Sequence, residues 1–429
     1  MTDPRPSSRN GRVKINGVKG MNDILPAAVG RWQEIERVAR QVFALHGYRE
    51  VRTPVVEPYA LYARGVGEST DIVTKEMYVF EDKGEEKLAL RPEGTAGTVR
   101  AYIEHGAFVE GPQKWFYVGP MFRRERPQKG RYRQFHQLGV EAFGIAEPAI
   151  DAEQIAMLAD LLRRLGVAPR IHLNSVGDGA CRPAYLEELR TWLRGQGVAL
   201  CADCRERTEK NPLRVLDCKV PSCQPVLKGA PRLIDRLCEG CRAHLDAVRQ
   251  GLDDLGVSYE VNPRLVRGLD YYVRTAYEFT SEALGAQSAV AGGGRYDGLV
   301  ETLGGPPTPG IGFGMGEERL ALILEAAGRP VPESRPEVFF VSADEAGRRE
   351  ALRRATELRR ADIACDLDAR GGKMSRQFKQ AERVGARFAV VIGGNEASSG
   401  QARLKDLATR EEVPVALAGL AARFRPDSP

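Results

Sequence analysis

Arginine's planar guanidinium grips a phosphate or a carboxylate through two parallel hydrogen bonds, so arginines clustered on paired strands mark a candidate anion site. One such cluster lies between Phe122 and Gln134, where Arg123, Arg124, Arg126, Lys129, Arg131 and Arg133 stand against a single acid, Glu125. In isolation a solvated basic face would look the same. The residues that follow add chemistry: RYRQFHQLGVE reads as a strand, which sets Phe135, Gln137 and Gly139 on one face, with the Phe135 ring a flat platform for a purine.

A second group is made of thiols. Six of the eight cysteines fall in one region, as Cys201-x-x-Cys204, Cys218 with Cys223, and Cys238-x-x-Cys241. Thiolates spaced this way can reach one metal from a tight turn, which makes Cys201, Cys204, Cys238 and Cys241 candidate zinc ligands. The pairs lack Gly-rich knuckles, and six candidates for four positions leave the ligand set undefined. Small reduced thiols are the plain alternative, and no structural zinc is assigned.

Positioning these groups requires a framework. Trp32, Ile35, Val38, Ala39, Val42 and Phe43 recur at helical spacing between Val29 and Leu45. In YREVRTPVVEP, β-branched residues break at Pro54 and resume, which suits an edge strand or an interface. MYVFEDK, KLALRPEGT, KWFYVGPMFRRE and RQFHQLGVEAFG read as strands, the last two joined across PQKGRY as a long hairpin, so an antiparallel sheet is predicted. Helical periodicity returns over Asp151–Leu165. Residues 177–261 read as an inserted helical module carrying the cysteines. Sheet signals resume at YEVNPRLVRGLDYYVRTAYEFTS and SAVAGGGRYDGLV, and GIGFGMGEERL opens a helix through Leu324. GRPVPESRP is a Pro-rich linker. Beyond it EVFFVSA, IACDLD and FAVVIGG alternate with helices around Arg348–Arg360 and Ser375–Val384, predicting a small α/β domain with a mainly parallel or mixed sheet.

Composition sets the outer limits. A chain of 429 residues predicts two or three domains, and 42% hydrophobic with 28% charged residues predicts a soluble globular protein. No apolar run nears the roughly 18 residues of a membrane span. The opening MTDPRPSSRNGRVK offers no apolar stretch for export and is expected to be a flexible lead-in of a cytoplasmic protein. A net charge of +5 says little about nucleic acid by itself.

These residues also carry a resemblance. PMFRRERPQKGRYRQFHQLGVEAFG resembles motif 2 of class II aminoacyl-tRNA synthetases of the histidyl type, GYREVRTPVVEP resembles motif 1, and GIGFGMGEERL resembles motif 3. LVRGLDYYVRTAYEF and AVAGGGRYDGLVE are similar to the two signatures peculiar to that type, and LRPEGTAG completes the set; the match runs from about Val18 to Phe424. It implies an α+β fold: an antiparallel sheet flanked by helices over residues 18–329 with the insertion, a linker at 330–336, and an α/β anticodon-binding domain over 337–429.

It further implies ATP with Mg2+, L-histidine and tRNA(His) as substrates and a homodimer with Pro54 at its interface. By the same resemblance Arg123 and Arg267 are the catalytic cations at the α-phosphate, Arg123 also meeting the substrate carboxylate. Glu93, Gly94 and Thr95 sit at the α-amino group, and Gln137, Glu141, Tyr271 and Tyr272 line the amino-acid pocket. Glu125, Arg131, Phe135 and Arg319 join Arg123 around ATP, and Gln128 and Arg131 meet the tRNA acceptor end. The pocket chemistry agrees, since an imidazole edge has a donor and an acceptor for Glu141 and tyrosine hydroxyls to satisfy.

Other readings weigh less. A regulatory subunit of ATP phosphoribosyltransferase shares the catalytic fold without charging tRNA, but such paralogues typically lack the anticodon-binding domain and parts of the site set. Tyr271 and Tyr272, taken singly, are strand packing. Lys373-Met374-Ser375 resembles the KMS-type loop of class I synthetases, yet no H-x-G-H partner exists, and Leu367 occupies the position of the first P-loop glycine. His136 is read as packing or hydrogen bonding. Arg370, Lys373, Arg376, Lys379, Arg383 and Arg387 could follow an RNA backbone or form a solvated helix face.

Overall fold

Alternation in QKWFYVGPMF and QFHQLGVEAF builds the two longest strands of the computed structural model, which describes residues 15–68, 70–283, 289–332 and 335–424. Residues 1–14 of the expected lead-in and 333–334 of the linker lie outside the described residues. Two compact units divide at Val331 and Pro332.

In chain order the strands of the first unit are β1 (Arg49–Glu50), β2 (Val56–Pro58), β3 (Tyr78–Glu81), β4 (Lys87–Leu90), β5 (Gln113–Phe122), β6 (Gln134–Phe143), β7 (Arg170–Ser175), β8 (Glu260–Val261), β9 (Val273–Thr280), β10 (Ala289–Arg295) and β11 (Gly310–Gly316). Eight of them form one sheet in the order β1-β5-β6-β11-β10-β9-β7-β8, and β2-β4-β3 form a small second sheet. The β5/β6 hairpin pairs from Gln113 opposite Phe143 to Phe122 opposite Gln134. Pairing is antiparallel throughout the centre, and only β1/β5 and β7/β8 are parallel. Pro54 is exposed between β1, at the sheet edge, and β2.

Period-2 alternation gives the large sheet two unlike faces. Leu138 and Val140 of β6, Ile311, Phe313 and Met315 of β11, and Tyr277 and Phe279 of β9 point into the main core, where Ile35, Val42 and Phe43 of the helix Pro26–Leu45 and Ile155, Leu158 and Leu161 of the helix Pro148–Arg164 cover them. The helix Glu317–Ala326 adds Leu320 and Leu324. Burying a Leu, Ile or Phe side chain contributes about 1.5–3 kcal/mol each, so this face holds the unit together. The opposite face carries Gln137, Gly139 and Glu141 of β6 and the even-numbered glycines of β11, and it is left for chemistry.

Between β7 and β8 the chain forms the helices Arg182–Gly195, Ala202–Lys210, Gln224–Lys228 and Glu239–Asp254, with short 3-10 turns among them. Leu189, Leu193, Val215, Leu245 and Val248 of this module are continuous with the main core. The sheet signals that resume at Tyr259 resolve into two strands: β8 ends at Val261, β9 begins at Val273, and Arg267, Tyr271 and Tyr272 occupy the irregular turn between. Pro263 and Gly268 within it explain the break.

The second unit is a mixed sheet of β12 (Val338–Ser342), β13 (Cys365–Leu367), β14 (Phe388–Ile392), β15 (Gln401–Asp406) and β16 (Glu412–Ala416), in the order β13-β12-β14-β15-β16. The first three pair in parallel, with helices Glu345–Arg360 and Met374–Arg383 as crossovers, and the last two are antiparallel. Its core, with Val338, Phe340, Leu358, Val390 and Leu404, is its own.

Candidate active site

Glycine prepares the open face. A Cβ on Gly94 would lie 2.2 Å, and one on Gly139 2.3 Å, from the Tyr117 ring, so the phenol can lie flat across β6 only because both positions are bare. A Cβ on Gly312 would strike the Glu141 carboxylate at 1.9 Å, on Gly314 the Gln137 amide at 2.1 Å, and on Gly292 the Arg267 guanidinium at 2.3 Å. Three strands thus give up their side chains so that neighbours can lean over them.

The deepest of those neighbours is Glu141, fully buried. It accepts a hydrogen bond from Thr95 Oγ1 at 2.7 Å and a short one from the Tyr296 hydroxyl. Burial pushes its carboxyl up to about 8, against the pull of those two hydroxyls. Glu93, also buried, accepts the backbone N–H groups of Thr95 at 2.6 Å and Ala96 at 2.9 Å, closing the start of the helix Thr95–Glu104 with a carboxylate; burial raises its carboxyl too. Tyr271 packs against Tyr272 and Tyr296 with ring centroids 4.7 and 5.7 Å apart. Gln137 Oε1 is buried without a hydrogen-bond partner among the described residues. A polar group in that state is costly unless a ligand completes it.

Cations line the rest. Arg123, at the end of β5, donates from Nε to the Pro92 carbonyl at 2.9 Å and lies over the Phe135 ring at 5.2 Å. Glu125 draws Arg131 to 2.9 Å. Arg267 lies over the Tyr272 ring at 5.7 Å, pairs with Glu278 at 3.2 Å and keeps a buried Nε without a partner among the described residues. Arg319 donates to the carbonyls of Gly130 and Ala289; burial first, then the like charges of Arg131 and Arg123, push its guanidinium down. Glu93, Thr95, Arg123, Glu125, Arg131, Phe135, Gln137, Arg267, Tyr271, Tyr272 and Arg319 all border one cavity of about 280 Å³. It shares Arg123, Arg131 and Arg267 with a wider cleft of about 1380 Å³ that the helical module walls on its far side.

The structure therefore brings together residues that the sequence spreads over more than 200 positions. Gln128 stands apart, exposed at the hairpin tip, where its backbone pairs with Arg131 in both directions. Pro54 is not among the residues that line the cavity. His136 both packs and hydrogen-bonds: its backbone N–H donates to Glu318 at 2.8 Å, its ring Nδ1 lies 3.2 Å from the same carboxylate, and its ring meets Trp32 edge-on at 5.1 Å. Lys373 precedes an ordinary helix. The four-cysteine set Cys201, Cys204, Cys238 and Cys241 is corrected: the two C-x-x-C pairs do not converge. Cys201 and Cys204 join Cys218 and Cys223, whereas Cys238 and Cys241 join Cys181 and Asp178. Spacing could not show this, because Asp178 and Cys181 lie outside the cysteine-rich run. Tyr117, Tyr296 and Glu278 also escaped the sequence reading, although Tyr296 and Glu278 lie inside the quoted signatures.

An antiparallel floor with helices behind it and cations in front is the architecture of class II aminoacyl-tRNA synthetases. The family model described as Histidyl-tRNA synthetase matches residues 20–320, and the one described as Anticodon binding domain matches residues 337–425. A histidine–tRNA ligase of Anaeromyxobacter dehalogenans is 76% identical over 411 residues, spanning 96% of this chain and 99% of the relative. One from Geobacter sulfurreducens is 48% identical, spanning 96% and 100%. The crystal structure of apo S. aureus histidyl-tRNA synthetase aligns with a TM-score of 0.81 at 37% identity, covering 96% of this chain and all (100%) of that one. The chain belongs to the histidyl-tRNA synthetase family. No helix among the described residues is long and apolar enough to cross a membrane.

Proposed function

We propose that this enzyme joins L-histidine to tRNA(His) in two steps at the one cavity. The histidine carboxylate attacks the α-phosphorus of ATP, which enters with Mg2+; the new P–O bond gives histidyl-adenylate as pyrophosphate leaves. The terminal ribose hydroxyl of the tRNA then attacks the activated carbonyl, and AMP departs with the bond electrons. Charge grows on the α-phosphate in the first step, so fixed cations aimed at it lower the barrier. Arg123 and Arg267 fill that role, held in place by Pro92 and Glu278. Arg319 and Arg131 hold the outer phosphates, and the Phe135 ring takes the adenine.

The observation that carries this reading is the buried Glu141, hydrogen-bonded to Thr95, behind a cavity that Thr95, Tyr271 and Tyr272 line together with Arg123, Arg267 and Arg319. An imidazole presents a donor and an acceptor at opposite nitrogens, and this pocket can answer both. Glu93, Gly94 and Thr95, at the start of a helix, receive the α-amino group, and the Gln137 amide turns its unpartnered oxygen to the same substrate. A non-polar isostere would leave these groups unsatisfied, which is the strong form of discrimination. Exchange of pyrophosphate into ATP, measured with each amino acid in turn, tests the reading: histidine alone should stimulate it. Folded protein that shows no histidine-dependent exchange overturns it.

The regulatory reading is disfavoured by the second unit and by the full set of cations. Gln128 and Arg131, at the exposed hairpin tip, meet the acceptor end of the tRNA. Pro54, exposed beside the sheet-edge strand β1, suits a homodimer contact. The enzyme works where its tRNA is, in the cytoplasm.

A further inference from the structure

The helical module between β7 and β8 has only short elements in its middle: 3-10 turns at Pro212–Val215, Pro221–Cys223 and Leu233–Arg236 and the five-residue helix Gln224–Lys228. Two groups of metal-binding side chains sit in it, and neither belongs to the active site.

In the first, Cys201 caps the helix Ala202–Lys210 and Cys204 lies in its first turn, while Cys218 and Cys223 arrive from the turns that follow. The four sulfurs all lie within 4.8 Å of one another, and Cys201 Sγ is 3.9 Å from Cys218 Sγ. A tetrahedral zinc with bonds of about 2.3 Å sets its sulfurs about 3.8 Å apart, so this spacing is that of an edge of the tetrahedron. A disulfide would require about 2.05 Å and would join the sulfurs only in pairs. Backbone N–H groups of Cys201 and Val220 point at the sulfurs of Cys223 and Cys218, at 3.2 and 3.4 Å. That suits thiolates, as does the positive end of a helix. Cys204 and Cys223 are fully buried, and four thiolates fill a tetrahedral ion's coordination positions.

The second group repeats the device. Cys238 caps the helix Glu239–Asp254 with φ −64° and ψ 165°, the same angles as Cys201, and Cys241 lies in its first turn. Its partners come from the loop after β7: Asp178 Oδ1 is 3.9 Å from Cys238 Sγ and 3.8 Å from Cys181 Sγ. The carboxylate is aimed by the Ala180 N–H at 3.0 Å and by Arg274 at 3.3 Å.

We propose that the module folds around two structural zinc ions, one held by Cys201, Cys204, Cys218 and Cys223 and the other by Asp178, Cys181, Cys238 and Cys241. Each ion would staple a helix start to a loop that the apolar core holds only in part, and binding would release the thiol protons. Cys201 and Cys218 also border the wide cleft opposite Arg123 and Arg267, so the first staple would fix one wall of the space in front of the active site.

Elemental analysis of the full-length, untagged protein, purified with reductant and without chelator, tests the assignment. Two zinc ions per chain are expected. Cys218→Ser should remove one and keep the other, and Cys181→Ser should do the reverse. Should a variant fail to fold, titration of the wild-type protein with a mercurial reagent, followed by a zinc-sensitive dye, should still release two zinc ions. Metal-free folded protein with all thiols titratable, or with disulfides in mass spectra, overturns both sites. A single ion lost in both variants overturns the two-site division. An ion lost only in Cys218→Ser overturns the second site, and iron in place of zinc overturns the choice of metal.

Discussion

Arg267 holds its charge inside the cavity while Glu278 balances only part of it, and its Nε has no partner among the described residues. Such a donor is ready for an oxygen that becomes more negative in the transition state. Arg267→Ala should slow single-turnover adenylate formation about 10²–10³-fold, the usual loss for one fixed donor, with histidine affinity by calorimetry changed far less. An unchanged single-turnover rate would refute the role. Glu141 offers a pH test. Its carboxyl sits at about 8 in the folded protein against 4.5 ordinarily, so the folded state holds a proton that the unfolded chain gives up between those values. Its contribution to stability is complete below the lower value and is lost as pH rises to about 8. Glu141→Gln cannot ionise. Melting temperatures of the ligand-free proteins from pH 5 to pH 9 should therefore show the wild type losing ground to the variant up to about pH 8 and no further. Parallel curves would show that Glu141 does not hold its proton.

Strand β10 separates two uses of glycine. A Cβ at Gly293 would meet backbone, the Gly312 carbonyl at 2.2 Å, so β10 and β11 would have to part; at Gly292 its nearest neighbour would be the Arg267 guanidinium, the far end of a flexible side chain, at 2.3 Å. Gly293→Ala should lower the melting temperature, with overpacking costing about 1–3 kcal/mol. Gly292→Ala should melt near the wild type but lose most pyrophosphate exchange, because Arg267 is displaced. If both variants lose stability equally, the distinction fails. The β5/β6 hairpin and the arginines at its mouth were legible in the sequence, since period-2 alternation and a charge cluster are local signals. Why each glycine is bare was not, because Tyr117, Gln137 and Arg267 reach across strands whose register only tertiary pairing sets. The bend at residues 262–272 was hidden among β-branched and aromatic residues, and β15 and β16 were missed because β15 buries only the short pair Ala402 and Leu404 and β16 carries Pro414, which reads against a strand. The partition of the cysteines depends on which loops meet, and spacing does not encode that.

At the scale of the whole molecule, every residue around the cavity comes from the first unit, and each unit has its own apolar core. The second unit carries its own basic surface, partly neutralised within itself: Asp368 holds Arg370 at 3.0 Å and Arg376 at 3.7 Å, and Glu337 holds Arg387 at 3.2 Å. Lys373 and Lys379 lie in the same stretch, so a phosphate backbone would meet a small excess of positive charge there, and binding through it should weaken as salt rises. A chain ending at Val331 should therefore keep histidine-dependent pyrophosphate exchange, which needs only the cavity, and lose efficient transfer to tRNA, which needs the nucleic acid held at a second place. In the full chain, Lys373→Glu with Lys379→Glu should raise the KM for tRNA and flatten its salt dependence while leaving exchange untouched. Transfer by the shortened chain at the full rate would mean that the first unit reads tRNA unaided, and the basic stretch of the second unit would then be no more than a solvated face.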